Sequence, residues 1–249
     1  MTRIGLFDSG VGGLSILHTL EHHFPFASFV YLADGAQFPF GSKSKAELLR
    51  IASQATAFLL SQQVDIIVVA CHTASVHTIE ILKTQFPVPL IGMVEPTLTG
   101  LKKITPNKRV GILASQSTVN AKLYEKRIQG EVVSCASPNL IAQIERGITP
   151  TPHEVRAELS PLLDKELDVL ILGSTHFAHI QHQIEEELNA KTCLLNPARE
   201  VAEEVAPFIF PEGPGSPHSL FTTGNIEALE RFLKSRPFER AYSLRELQS

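Results

Sequence analysis

The stretch VDIIVVACHTAS (64–75) has a near twin in LDVLILGSTHFA (167–178). Each is a short apolar run, rich in Val, Ile and Leu, that breaks into small polar residues. Runs this short and this continuous read as strands buried on both faces, the kind found in parallel sheets. Where the first stretch turns polar it carries Cys71, and where the second turns polar it carries Ser174.

Outward from this pair a second one appears. IGLFDSGVGGL (4–14) matches VGILASQSTVN (110–120) in its outline of strand, turn and helix. The two pairs share an offset of roughly a hundred residues, which favours two similar units in tandem over chance likeness of α/β segments. Further buried strands are expected at 29–32, 90–94 and 132–135. Helical patterns are expected at Leu14–His23, Lys45–Gln62, Ala74–Gln85, Asn120–Ile128, His153–Lys165 and Ile180–Leu188. Strands alternating with helices predict an α/β fold of two doubly wound domains with mainly parallel sheets. Pro207–Pro217 reads as a loop or crossover, and residues 220–235 as strand, turn and helix. The last dozen residues are polar and are expected to fray. The first domain is expected to hold 1–92 and 207–249, and the second 93–206.

Composition narrows the function. The 249 residues are 43% hydrophobic and carry a net charge of −4, which supplies no basic surface for nucleic acid. No run reaches the ~18 apolar residues of a membrane span. The apolar run after Met1-Thr2-Arg3 is too short for a signal peptide, so the cytosol is expected. The three cysteines cannot all pair, and their spacing matches no metal site.

The unusual residues cluster where strands end, the place at which open α/β sheets bind ligands. After the first strand come Asp8, Ser9, Gly10, Val11, Gly12 and Gly13, a turn that bares backbone N–H groups but lacks the dinucleotide spacing. Then come Pro39-Phe40-Gly41-Ser42, Cys71-His72-Thr73, Ser115 with Thr118, and Ser174-Thr175-His176. Small hydroxyls and turn N–H donors suit a small carboxylate-bearing ligand. Cys71 opens a helix, where its thiol pKa would be lowered. Free cysteines are also commonly small buried hydrophobes, and position leaves the two readings even. Cys135 and Cys193 read as core or strand-edge residues. Asp8 is a partner for a base or a helix cap. Glu145, in LIAQIERG, reads as a solvent-facing helix residue.

FDSGVGGLS, PFGSKS, VVACHTAS, VGILASQSTVNAKLY, LGSTHF and FTTGN occur in the order and spacing of the glutamate racemase family, which the chain resembles over nearly its whole length. The resemblance implies two similar α/β domains facing each other across a cleft. It implies cofactor-independent interconversion of L- and D-glutamate in the cytoplasm for peptidoglycan, no metal, and a monomer or homodimer. It assigns the two faces of the substrate Cα to Cys71 and to the position of Ser174. Auxiliary roles fall on Asp8, His176 and Glu145, and substrate contacts on Ser9, Pro39, Phe40, Gly41, His72, Thr73, Thr118 and Thr175. The chain departs from the family pattern at Ser174, which stands for a cysteine, and also at His72, Phe40 and Ser115. A serine hydroxyl is not ionised near neutral pH unless a base activates it, so an impaired racemase is expected. Two other readings remain: a non-catalytic binding or regulatory protein, and a one-cysteine enzyme that protonates a carbanion from one face.

Overall fold

The computed structural model describes residues 2–104, 109–210 and 216–247. The first part of the chain alternates strand and helix: β1 (Arg3–Asp8), α1 (Leu14–His23), β2 (Ser28–Ala33), α2 (Lys45–Ser61), β3 (Ile66–Val69), α3 (His72–Gln85) and β4 (Leu90–Ile91). The middle continues with α4 (Val94–Ile104), β5 (Val110–Ala114), α5 (Gln116–Ala121), α6 (Leu123–Arg127), β6 (Val132–Ala136), α7 (Pro138–Glu145) and α8 (Pro152–Leu163). The rest comprises β7 (Val169–Gly173), α9 (Gln181–Glu187), β8 (Cys193–Leu195), α10 (Ala198–Val205), β9 (His218–Thr222), α11 (Ile226–Ser235) and β10 (Tyr242–Glu246).

The strands form two sheets, all pairs parallel: β10-β9-β2-β1-β3-β4, and β6-β5-β7-β8. Strands 1, 3, 5 and 7 are buried almost throughout because helices cover both faces of each sheet, which is why they read as unbroken apolar runs. Alternate residues of β1 enter different cores. Ile4 and Leu6 pack under α1, and Phe7 packs under α2. Two further clusters lie on the two faces of the second sheet. α10 sends Ala198, Val201, Ala202 and Val205 into the core beneath α1. The expected Pro207–Pro217 loop lies partly outside the described residues.

Three expectations need correction. The strand expected at 90–94 stops at Ile91, and Val94 already opens α4. Pro96 falls in the first turn of that helix, where its missing N–H is not needed, and Glu95 there suits the helix dipole. The helix expected at 120–128 is broken by Lys122, whose φ of 50° ends α5 before α6 begins.

The C-terminal segment is also not frayed over its described length: β10 pairs with β9 from Tyr242 to Glu246. Its anchor is distant in sequence. The buried Glu21 carboxylate accepts from His218 Nε2 at 2.8 Å, Arg240 N at 3.1 Å and Glu239 N at 3.4 Å. Arg240 also donates to the Ala27 carbonyl.

Removing this carboxylate leaves buried donors without an acceptor. Glu21→Ala is expected to cost about 2–3 kcal/mol and to release β10 first. Urea unfolding and amide exchange over residues 239–246 check this; protection there equal to that of the parent protein contradicts it.

Candidate active site

Both sheets reverse direction of growth at their centres. The first grows from β1 to β2 on one side and to β3 on the other. The second grows from β5 to β6 on one side and to β7 on the other. Ligands bind at such switch points, beyond the carboxyl ends of the strands. In the first sheet β1 ends at Asp8 and β3 leads into Cys71. In the second, β5 leads into Ser115 and β7 into Ser174.

The two switch points face one cavity of about 320 Å³. Asp8, Ser9, Cys71, His72 and Thr73 line it from the first sheet, together with the segment Phe38–Ser42. From the second sheet come Ser115, Ser174, Thr175 and His176. Thus Asp8, Ser9, Pro39, Phe40, Gly41, Cys71, His72, Thr73, Ser174, Thr175 and His176 all reach the cavity wall. Thr118 and Glu145 stand just behind it, each bonded to a wall residue. Sequence reasoning missed Phe38 and Gln116, and it missed the apolar wall Pro138, Ile141 and Ala142. That wall is spaced i, i+3, i+4 on α7, a helical period that SPNLIAQIE carries openly.

Hydrogen bonds close the cavity on both sides. Thr175 Oγ1 donates to Asp8 Oδ2 at 2.8 Å, and Ser9 N donates to Asp8 Oδ1 at 2.6 Å. Ser15 Oγ donates to the Thr175 carbonyl at 3.3 Å. Across the opposite wall, Thr73 Oγ1 and Ser115 Oγ are 2.7 Å apart, and Ser115 Oγ donates to Thr118 Oγ1 at 3.0 Å. Glu145 does not face solvent, contrary to expectation. Its Oε2 accepts from Val11 N at 3.0 Å and bonds His176 Nε2 at 2.8 Å. The glycine turn makes this approach possible: a Cβ on Gly10 would sit 2.1 Å from the Glu145 carboxylate, and one on Gly12 would sit 2.4 Å from Thr175 Oγ1.

Among the described residues no Lys or Arg lines the cavity; hydroxyls, backbone N–H groups and the N-terminus of α3 are the groups there that suit an anion. Burial pushes the Cys71 thiol up, and the nearby Asp8 carboxylate adds to this; N–H groups of Ala74 and Thr73 offset only part. The lowering expected from the helix N-terminus is therefore overturned, because desolvation of a thiolate outweighs the dipole. Burial pulls His72 down to about 3. Its ring is neutral, and among the described residues neither ring nitrogen has a hydrogen-bond partner. Burial pulls His176 down too, but the Glu145 hydrogen bond and charge, with Asp8, outweigh it, so its pKa is raised. Ser174 Oγ bonds to nothing among the described residues.

The chain matches the family model for Asp/Glu/hydantoin racemases over residues 15–205. It is 33% identical to the glutamate racemase of Aquifex aeolicus over 237 residues, covering 93% of this chain and 92% of that one. It is 39% identical to the glutamate racemase of Carboxydothermus hydrogenoformans, covering 81% and 78%. The crystal structure of a Thermus thermophilus glutamate racemase with β-chloro-D-alanine superposes with a TM-score of 0.87 at 34% identity, covering 99% of this chain and 97% of that one.

The geometry around His176 sets a pH dependence. A raised folded-state pKa contributes stability that is fully present below the ordinary histidine value of about 6.5 and is lost as pH rises through the folded value. Glu145→Gln removes the charge that opposes burial, so the His176 midpoint is expected to fall. Imidazole ¹⁵N shifts followed against pH measure it; an unchanged midpoint contradicts the assignment.

Proposed function

The chain belongs to the Asp/Glu/hydantoin racemase family, and from that premise we propose that it moves the Cα proton of glutamate without a cofactor. The observation that carries this reading is the meeting of Cys71 and Ser174, equivalent strand-end residues of two sheets, in one cavity. The substrate ammonium fits beside Asp8. The carboxylates fit the hydroxyls and N–H groups of Ser9, Gly41, Thr73 and Thr175, with Thr118 supporting Ser115 from behind the wall.

Substrate binding changes the thiol. The Asp8 charge helps to hold the Cys71 proton in place, and an ammonium against Asp8 offsets that charge, making the thiolate easier to form. The thiolate takes the Cα proton, leaving a carbanion whose charge spreads into the α-carboxylate. On the other face stands a hydroxyl with no base bonded to it, while His176 is turned toward Glu145. The proton therefore returns mostly from Cys71, and inversion is slow. This reading places the activity in the cytoplasm, supplying D-glutamate to peptidoglycan. Among the described residues no helix is long and apolar enough to cross a membrane.

Proton NMR of L- and D-glutamate, incubated separately in deuterated water and followed alongside optical rotation, tests this. The D-enantiomer, whose Cα proton faces the first cysteine in the family pattern, is expected to lose that proton faster than it inverts. Cys71→Ala is expected to abolish the exchange. Ser174→Cys is expected to raise inversion about 10²-fold or more, the usual worth of a positioned acid–base group. Equal exchange from both enantiomers, or exchange that survives Cys71→Ala, contradicts the reading. Ligand-induced stabilisation with no exchange at all would favour the binding-only alternative.

A further inference from the structure

Tyr31 lies in β2 opposite Leu6, wholly buried in the core beneath α1. None of the motifs that mark the site includes it. Its hydroxyl nevertheless donates to the Gly10 carbonyl at 2.6 Å. The same peptide unit supplies the N–H of Val11, which donates to Glu145 Oε2 at 3.0 Å. In a trans peptide the C=O and N–H point in opposite directions, and the only cis bond described is Phe38–Pro39. One peptide plane is thus held at its two ends, by Tyr31 from the first sheet and by Glu145 from α7. The same Glu145 oxygen bonds His176 Nε2 at 2.8 Å.

We propose that Tyr31 is a positioning residue for the site, acting through the Gly10–Val11 peptide to set the Glu145 carboxylate and, through it, His176. Accepting at the carbonyl polarises the peptide and makes its N–H a better donor, the cooperativity expected of linked hydrogen bonds in a buried setting. The hydroxyl remains a donor near neutral pH, since burial and then the Asp8 and Glu145 charges push its pKa well up. The glycine turn is shaped for it: a Cβ on Gly13 would lie 2.8 Å from the Tyr31 hydroxyl oxygen. The groups that face His176 are Glu145, Asp8 and His179. His179 is neutral near pH 7, with its pKa pulled down to about 3 chiefly by burial.

Tyr31→Phe removes one oxygen and keeps the ring in its core. The His176 midpoint is expected to fall toward that of Glu145→Gln, and the Val11 amide proton to move upfield as its bond to Glu145 lengthens. In a Glu145→Gln background, Tyr31→Phe is expected to shift the His176 midpoint no further, because the relay is already cut. In the Ser174→Cys background, where the second face can act, the inversion rate is expected to fall about two- to tenfold, the worth of one hydrogen bond. This last arm rests on the proposed reaction. The NMR arms do not, so loss of the reaction and loss of the relay are told apart. Should Tyr31→Phe fail to fold, Glu145→Gln in the parent protein is expected to shift the Tyr31 ¹³Cζ resonance through the same peptide. A folded Tyr31→Phe protein with an unmoved His176 midpoint overturns the proposal. So does a Tyr31 resonance indifferent to Glu145→Gln.

Discussion

Everything in the cleft depends on a carboxylate with no access to solvent. Asp8 is fully buried at the end of the central strand of the first sheet, and the hydroxyl of Thr175 reaches it from the second. A buried charge is tolerated only where its lone pairs are met. Here they are met by the backbone of Ser9 on its own side and by a side chain from the other domain. The bond ties the carboxyl end of β1 to the residue after Ser174, so it fixes how the two switch points face each other. Gly10 and Gly12 let the turn after Asp8 come close enough for Glu145 and Thr175 to make contact, which any side chain there would prevent.

That arrangement is nearly symmetric in backbone and unequal in chemistry. Cys71 sits beside Asp8, so burial first, and then the charge that organises the cleft, push its thiol pKa up. Ser174 occupies the matching place on the other side with a hydroxyl bonded to no base among the described residues. The imidazole two residues further on is committed to Glu145. His72, neutral and in the cavity lining at the first turn of α3, keeps both ring nitrogens buried and, among the described residues, without hydrogen-bond partners.

The strand ends were legible in the sequence because they are local. Short apolar runs ending in Asp8, Cys71, Ser115 and Ser174 need no tertiary knowledge to be read. What was not legible depends on contacts across the chain. Glu145 ends an amphipathic helix, and nothing near it in sequence says that a glycine turn 134 residues earlier receives its carboxylate. The polar alternation of YSLRE reads as a fraying tail until Glu21, on the first helix, is seen collecting the N–H groups before it. Cys71 shows a local rule losing to a global one: the helix N-terminus favours a thiolate, and complete burial disfavours it more strongly. Tyr31 lies in a stretch that reads only as a strand, because just its hydroxyl, at the far end of the ring, reaches a group of the site.

On the proposed reaction Cys71 and Ser174 flank a single substrate carbon. A crystal structure with D-glutamate bound tests it most directly. The Cα is expected between Cys71 Sγ and Ser174 Oγ, with its hydrogen directed at the sulfur and the ammonium against Asp8. A ligand held by one domain alone, or with its Cα out of line with these two atoms, would contradict it.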